Sequence, residues 1–219
     1  MKKILIFMTL LIFLFALNSC ATPKNERFVI HEGTIQASYS YDLNDPHVII
    51  PLADYILYGI LTEVNDGVYP FGTIFGSLPV FPHTLNIKNV IYGDMKSGND
   101  INYYWPSGYV SFPLWVAATT GGDQPAKSFD DDPEEISGID LNKYIDDPNA
   151  FYKIYFHGHP IIEEGENLIV LIQKSEYYDH ISIGYILFKN DKTYGSTLFE
   201  DGISFDDVAK IIMDIKANT

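Results

Sequence analysis

Four groups of residues in this chain carry side chains able to do chemistry. The densest is acidic: Asp130-Asp131-Asp132-Pro133-Glu134-Glu135, with Asp140, Asp146 and Asp147 close behind. Clustered carboxylates are hard oxygen donors of the kind calcium takes. The run lacks the alternating acidic spacing and the glycine of a calcium loop. It therefore supports two readings: a solvated acidic loop, or a Ca2+ site built from Asp130, Asp131, Asp132 and Glu134. The second group is His157-Gly158-His159. Its two imidazoles suit a metal, but no spacing fixes a third ligand, and Gly158 and Pro160 place the pair at a strand end or turn. The third group is aromatic: Tyr103-Tyr104-Trp105-Pro106-Ser107-Gly108-Tyr109, then Phe112 and Trp115. Exposed, Trp105, Tyr109 and Trp115 would stack on sugar rings or grip a peptide; buried, they would be ordinary β-sheet packing. The fourth is Cys20, the single thiol of the chain, which rules out an intrachain disulfide.

Other chemistries find less support. Gly76-Ser77-Leu78 lacks the second glycine of a nucleophile elbow. Carboxylates are abundant enough to supply the acid/base pair of a hydrolase, and that alternative stays open because pairing needs a fold. With two of the 14 basic residues before Cys20 and all 29 acidic ones after it, the segment from Cys20 onward carries a formal charge of −17. A field of that sign repels phosphate backbones, so nucleic acid is not expected as a partner. It favours cations, basic peptides or plain solubility. The chain has one arginine, Arg27.

These groups need elements to position them. Phe28–Ile30 and Thr34–Tyr41 are β-prone on either side of Gly33, and Asp42–Pro46 is turn-like. Tyr55–Val64 is a long strand candidate, ended by the turn Asn65-Asp66-Gly67. His83–Ile91 alternates, Leu85 and Ile87 against Thr84, Asn86 and Lys88, as a half-buried strand does. Asp100–Trp105, Lys153–Phe156, Leu168–Gln173 and Ile181–Lys189 are further strands, with a hairpin turn over Lys189–Lys192. Ser107–Ala150 reads as an insertion. At the end, Ser204-Phe205-Asp206-Asp207 has capping-box spacing, and Val208, Ile211, Ile212 and Ile215 fall on one helical face. That predicts an amphipathic helix of about 13 residues, with Lys210 and Lys216 suited to its dipole.

The N-terminus has its own grammar. Lys2 and Lys3 precede an almost unbroken apolar run, Ile4–Leu17, and then Leu17-Asn18-Ser19-Cys20. A run of 14 residues, broken only by Thr9, is too short for a hydrocarbon core about 30 Å thick, which needs roughly 20. The layout is that of a secretory signal peptide. Leu at −3, Ser at −1 and Cys at +1 resemble the lipobox of bacterial lipoproteins, with Asn18 where Ala or Ser is usual. That resemblance implies diacylation of the Cys20 thiol, cleavage before it, and stable attachment to a bilayer through two chains. Ala21 at +2 is not the Asp that holds such proteins at an inner membrane. The expected place is the cell membrane or outer membrane, lipid-anchored on the extracytoplasmic side.

Three further segments carry a second resemblance: Ala53–Leu61, Leu85–Asp94, and Pro160 followed by Glu163–Ile172. Their order resembles small exported bacterial lipoproteins whose domains are similar to the OB-like barrel of netrin-type and metalloproteinase-inhibitor domains. The likeness spans roughly residues 51–175, interrupted by the insertion, with Tyr92 in place of the usual Lys. It implies a five-stranded Greek-key barrel and no catalytic residues. The inhibitory activity of the animal domains is not implied, because it needs a disulfide-bonded N-terminal cysteine.

The expectation is therefore a mainly β protein: an OB-like Greek-key barrel with one C-terminal α-helix, preceded by a cleaved signal helix. Residues 1–19 would be the signal peptide and 20–27 the lipidated tether. Residues 28–219 would form a single β-rich domain, with an insertion over about 107–150 and the helix over about 205–217. Such a protein would act as a membrane-anchored, non-enzymatic binding module for a cell-surface protein or glycan. An anchored hydrolase using a carboxylate pair is the alternative.

Overall fold

The computed structural model describes residues 27–35, 42–69, 79–120, 141–156, 159–176 and 178–219. The protein is mainly β. Among the described residues, nine strands run in chain order: β1 (Phe28–Ile35), β2 (Tyr55–Val64), β3 (Phe81–Tyr92), β4 (Asp100–Trp105), β5 (Gly108–Ser111), β6 (Ala150–Phe156), β7 (Asn167–Ser175), β8 (Asp179–Lys189) and β9 (Lys192–Tyr194). Three α-helices among the described residues accompany them: α1 (Pro46–Leu52), α2 (Phe112–Thr120) and α3 (Phe205–Ala217). A short 3-10 turn covers Leu141–Tyr144. Among the described residues, no helix is long and apolar enough to cross a membrane.

The strands form two sheets. The larger has the order β4-β3-β2-β7-β8-β9, and β4 also meets β8 in parallel through Tyr104 and Ile181. That one pairing closes β4, β3, β2, β7 and β8 into a ring. Closure demands strong coiling, and β2 and β3 supply it with three register shifts along their pairing. Gly59 lies at one of them; a Cβ there would stand 2.3 Å from the Asn86 carbonyl oxygen. The smaller sheet, β1-β6-β5, joins β1 to β6 in parallel and β6 to β5 antiparallel.

Alternation along the strands splits the core in two. Leu57, Leu85, Ile101, Trp105, Val170 and Leu187, with their neighbours two residues away, fill the inside of the ring. Ile56, Ile169, Leu171, Ile186 and Phe188 face outward, under α1 and α3. This double burial explains why Leu168–Ile172 is an unbroken apolar run rather than an alternating one. The helix α3 has the expected bounds. Its cap is Ser204, whose hydroxyl accepts from the Asp207 amide at 3.2 Å and donates to the Asp207 carboxylate at 2.6 Å.

Several elements depart from the sequence reading. The turn expected over Asp42–Pro46 is present at Leu43 and Asn44, but at Pro46 the chain enters a helix the sequence reading did not expect, α1, capped by Asp45, whose carboxylate accepts from the His47 amide at 2.8 Å. The stretch read as an insertion contributes β5 to a sheet and forms α2. The turns at Gly93, Gly165 and Asn190-Asp191 do have the positive φ that their sequences suggest.

Candidate functional site

The outer face of β3 and β4 carries a ladder of polar side chains. Strand alternation puts Thr84 and Asn86 outward on β3, opposite Asn102 and Asp100 on β4. The Thr84 hydroxyl lies 2.9 Å from a Glu63 carboxylate oxygen and 3.0 Å from the Asn102 side-chain oxygen. Next along, the Asn86 amide donates to the Asp100 carboxylate at 2.8 Å. The rungs join three strands, because Glu63 pairs with Thr84 across from β2. Such pairs stabilise the sheet locally and leave further lone pairs and amide protons for an outside molecule.

Aromatic rings border this ladder. Tyr104, at the closing pair with β8, meets Tyr178 edge to face, with 5.3 Å between ring centres. Burial, helped by Tyr104, raises the Tyr178 pKa, so its phenol stays protonated. Ladder, rings and the adjoining ends of β2 and β8 surround an open cleft of about 590 Å³. Asn65 closes it from the segment after β2, and Asp179 and His180 from the start of β8. The volume is in the range of small-molecule sites. Among the described residues that line it, three, Glu63, Asp100 and Asp179, are acidic and none is a lysine or arginine.

Beneath the ladder are two groups of another kind. His83 and Tyr103 also line the cleft, yet each is only 1% exposed. Among the described residues, both His83 ring nitrogens and the Tyr103 hydroxyl are buried without a hydrogen-bond partner. Burial pushes the His83 pKa down to about 4; the Pro82 carbonyl opposes the shift from outside hydrogen-bonding geometry. His83 is therefore a neutral imidazole at physiological pH. Burial likewise raises the Tyr103 pKa.

The sequence candidates are dispersed. Trp105 is 0% exposed inside the ring, its indole N–H donating to the Pro160 carbonyl at 2.9 Å. It is core and offers no ring face to a ligand. Trp115 is half-buried on α2, stacked on Tyr152 at 5.1 Å and on Phe112 at 5.7 Å, where it holds the helix to β6. Tyr109 is half-buried on β5 with the Arg27 guanidinium 4.8 Å from its ring centre, beside a second hollow of about 670 Å³. The three do not form one surface strip. His159 is buried, edge-on to Trp105 at 5.4 Å. Cys20, the acidic run with Asp130, Asp131, Asp132 and Glu134, and His157 lie outside the described residues. Among the described residues, no group of three or more His, Cys, Asp or Glu side chains is disposed to hold a metal ion.

His83 and the ladder are not among the sequence candidates, although the sequence carries their signal. The alternation that turns Leu85 and Ile87 inward turns His83 inward as well, and Thr84 and Asn86 outward. Comparisons of the chain with family models, with curated proteins and with solved structures find no match.

Proposed function

We propose that this protein is a lipid-anchored, extracytoplasmic, non-catalytic binding module that holds a neutral glycan on the β3–β4 face. The observation that carries the reading is the ladder Glu63–Thr84–Asn102 and Asn86–Asp100 beside Tyr104 and Tyr178. Amide and carboxylate groups in a row exchange hydrogen bonds with vicinal hydroxyls, and tyrosine rings take the apolar face of a sugar.

The strand order supports an OB-like Greek-key barrel. Around the ring it is β2-β3-β4-β8-β7, with β4 and β8 parallel and every other neighbouring pair antiparallel. In OB-folds the face of the second and third strands, flanked by the loops after the first and fourth, takes oligonucleotides or oligosaccharides. Here those strands are β3 and β4, and the corresponding loops bring Asn65 and Tyr178 to the cleft. The acidic lining and the charge of −17 from Cys20 onward favour the saccharide over a phosphate-bearing strand. The anchor rests on Cys20 and the apolar run before it.

Two measurements test the reading. Thermal unfolding of the full chain in detergent is followed with tri-N-acetylchitotriose, cellotriose or maltotriose, and with single-stranded DNA. A bound saccharide at 100 times its Kd stabilises by about 2.7 kcal/mol, a rise of roughly 6–10 °C, with no response to DNA. No rise with any saccharide overturns the binding assignment. Separately, Cys20→Ala should abolish fatty-acid labelling and release the protein from membranes; continued labelling overturns the anchor.

A further inference from the structure

The polar atoms beneath the ladder are unusual for a folded interior. More than nine in ten buried polar groups find a partner, and those that do not call for an explanation. Here two adjacent side chains, His83 and Tyr103, leave three such atoms unmet, with their rings 6.0 Å apart and roughly perpendicular. Neither side chain is needed as a polar group by the fold: leucine and phenylalanine would fill the same space without that desolvation.

The wall beside them is weak. Neighbouring strands elsewhere in the ring share six or more registered pairs, whereas β4 and β8 share the single pair Tyr104 and Ile181. The cleft is lined on one side of that seam by Ile101 and Tyr103, and on the other by Tyr178 and His180. The surface ladder and the buried pair thus border one continuous space.

We propose that the ligand of the β3–β4 face inserts one neutral hydroxyl or amide group at the β4–β8 seam, where it hydrogen-bonds to the imidazole of His83 and the hydroxyl of Tyr103. This rests on the saccharide-binding reading and specifies it: the inserted group is uncharged. A neutral imidazole presents one donor and one acceptor, and a phenol presents both, so together they complement a hydroxyl or an N-acetyl amide. A carboxylate or ammonium entering the same place would lose its hydration without a counter-charge.

The test uses the full chain in detergent with nitrogen-labelled histidine, titrated with tri-N-acetylchitotriose, cellotriose and maltotriose. The insertion predicts that the His83 ring signals move on titration. It also predicts that Tyr103→Phe weakens binding at least tenfold while leaving the unfolding temperature unchanged or higher. Asn102→Ala, on the outer ladder, weakens binding by itself. Should Asn102→Ala weaken binding while Tyr103→Phe does not and His83 stays silent, the insertion is overturned, water meets the buried atoms, and the surface reading stands. If none of the saccharides binds the unaltered chain, the surface reading falls and takes the insertion with it.

Discussion

The imidazole of His83 lies parallel to the indole of Trp105, 13° from coplanar with 6.2 Å between ring centres, inside the ring of strands. The stack places a titratable group against one of the largest buried side chains of the core. Protonating His83 there would bury an unpaired cation away from water, which is why its pKa falls to about 4.

That depression ties stability to pH. The folded protein keeps His83 neutral, whereas the unfolded chain takes up a proton near pH 6.5. The unfolded state therefore binds more protons between pH 6.5 and about 4. Its contribution to stability is complete above pH 6.5 and is lost as pH falls through that window. The full difference is about 3 kcal/mol. Urea unfolding of the unaltered chain and of His83→Phe, at steps from pH 7.5 to 4, isolates the effect from the many carboxylates. The gap between the two curves should shift by about 3 kcal/mol against the unaltered chain as pH falls. Parallel curves would show that His83 titrates normally.

Trp105 anchors the same interior by its N–H as well as its bulk. Trp105→Phe keeps an aromatic ring but leaves the Pro160 carbonyl without the indole donor now 2.9 Å away. A loss of about 1–3 kcal/mol follows from the unmet group and the lost volume. Trp105→Ala should cost about 3–5 kcal/mol. Both are read as a lower urea midpoint with an unchanged slope. A loss below about 0.5 kcal/mol for Trp105→Ala would place the residue at the surface.

Much of the frame was legible in the sequence because local and long-range forces agree there. α3 has its cap, its dipole charges and its apolar stripe, and β3 alternates cleanly over Phe81–Ile87. Where they disagree, the local pattern misleads. Helix α1 holds two prolines in seven residues, PHVIIPL, and its formation is supported by fully burying Ile49 and Ile50 against the outer core. Helix α2, FPLWVAATT, has no polar face to reveal a period. The candidate site was hidden for a different reason. Glu63, Thr84, Asn102 and Tyr178 lie on separate stretches, and only strand order brings them together. Trp105, in contrast, stands out by residue type, and its type does not reveal that it points inward.

Lys216 holds the C-terminal helix to the fold through α1. Its ammonium donates to the Pro51 carbonyl at 3.1 Å and the Ala53 carbonyl at 2.7 Å, and lies 4.1 Å from the centre of the Tyr92 ring. Partial burial lowers its pKa, opposed by Asp54. Lys216→Met keeps the stem and removes the charge-assisted bonds, at a cost of about 1–2 kcal/mol in this half-exposed place. Lys210→Met, on the exposed face of the same helix, should stay within about 0.5 kcal/mol of the unaltered chain. Equal effects from the two substitutions would mean that the carbonyl contacts carry nothing.

Arg27 pins the start of the β1-β6-β5 sheet. Its guanidinium pairs with Asp66 at 2.6 Å and sits 4.8 Å from the Tyr109 ring centre and 5.6 Å from that of Phe151. It thus ties the residue before β1 to the end of β2 and to β5 and β6. Both charged side chains are partly exposed, so the pair with its ring contacts is worth about 1 kcal/mol in global stability. The larger effect is local, because among the described residues β1 is the edge of its sheet and is registered only with β6. For Arg27→Gln, hydrogen exchange of the β1 amides should quicken about three- to tenfold while those of β7, in the middle of the larger sheet, hold their rates. High salt should reproduce part of that local loss in the unaltered chain. A uniform change across β1 and β7 would instead mean that Arg27 stabilises the whole fold and pins nothing in particular.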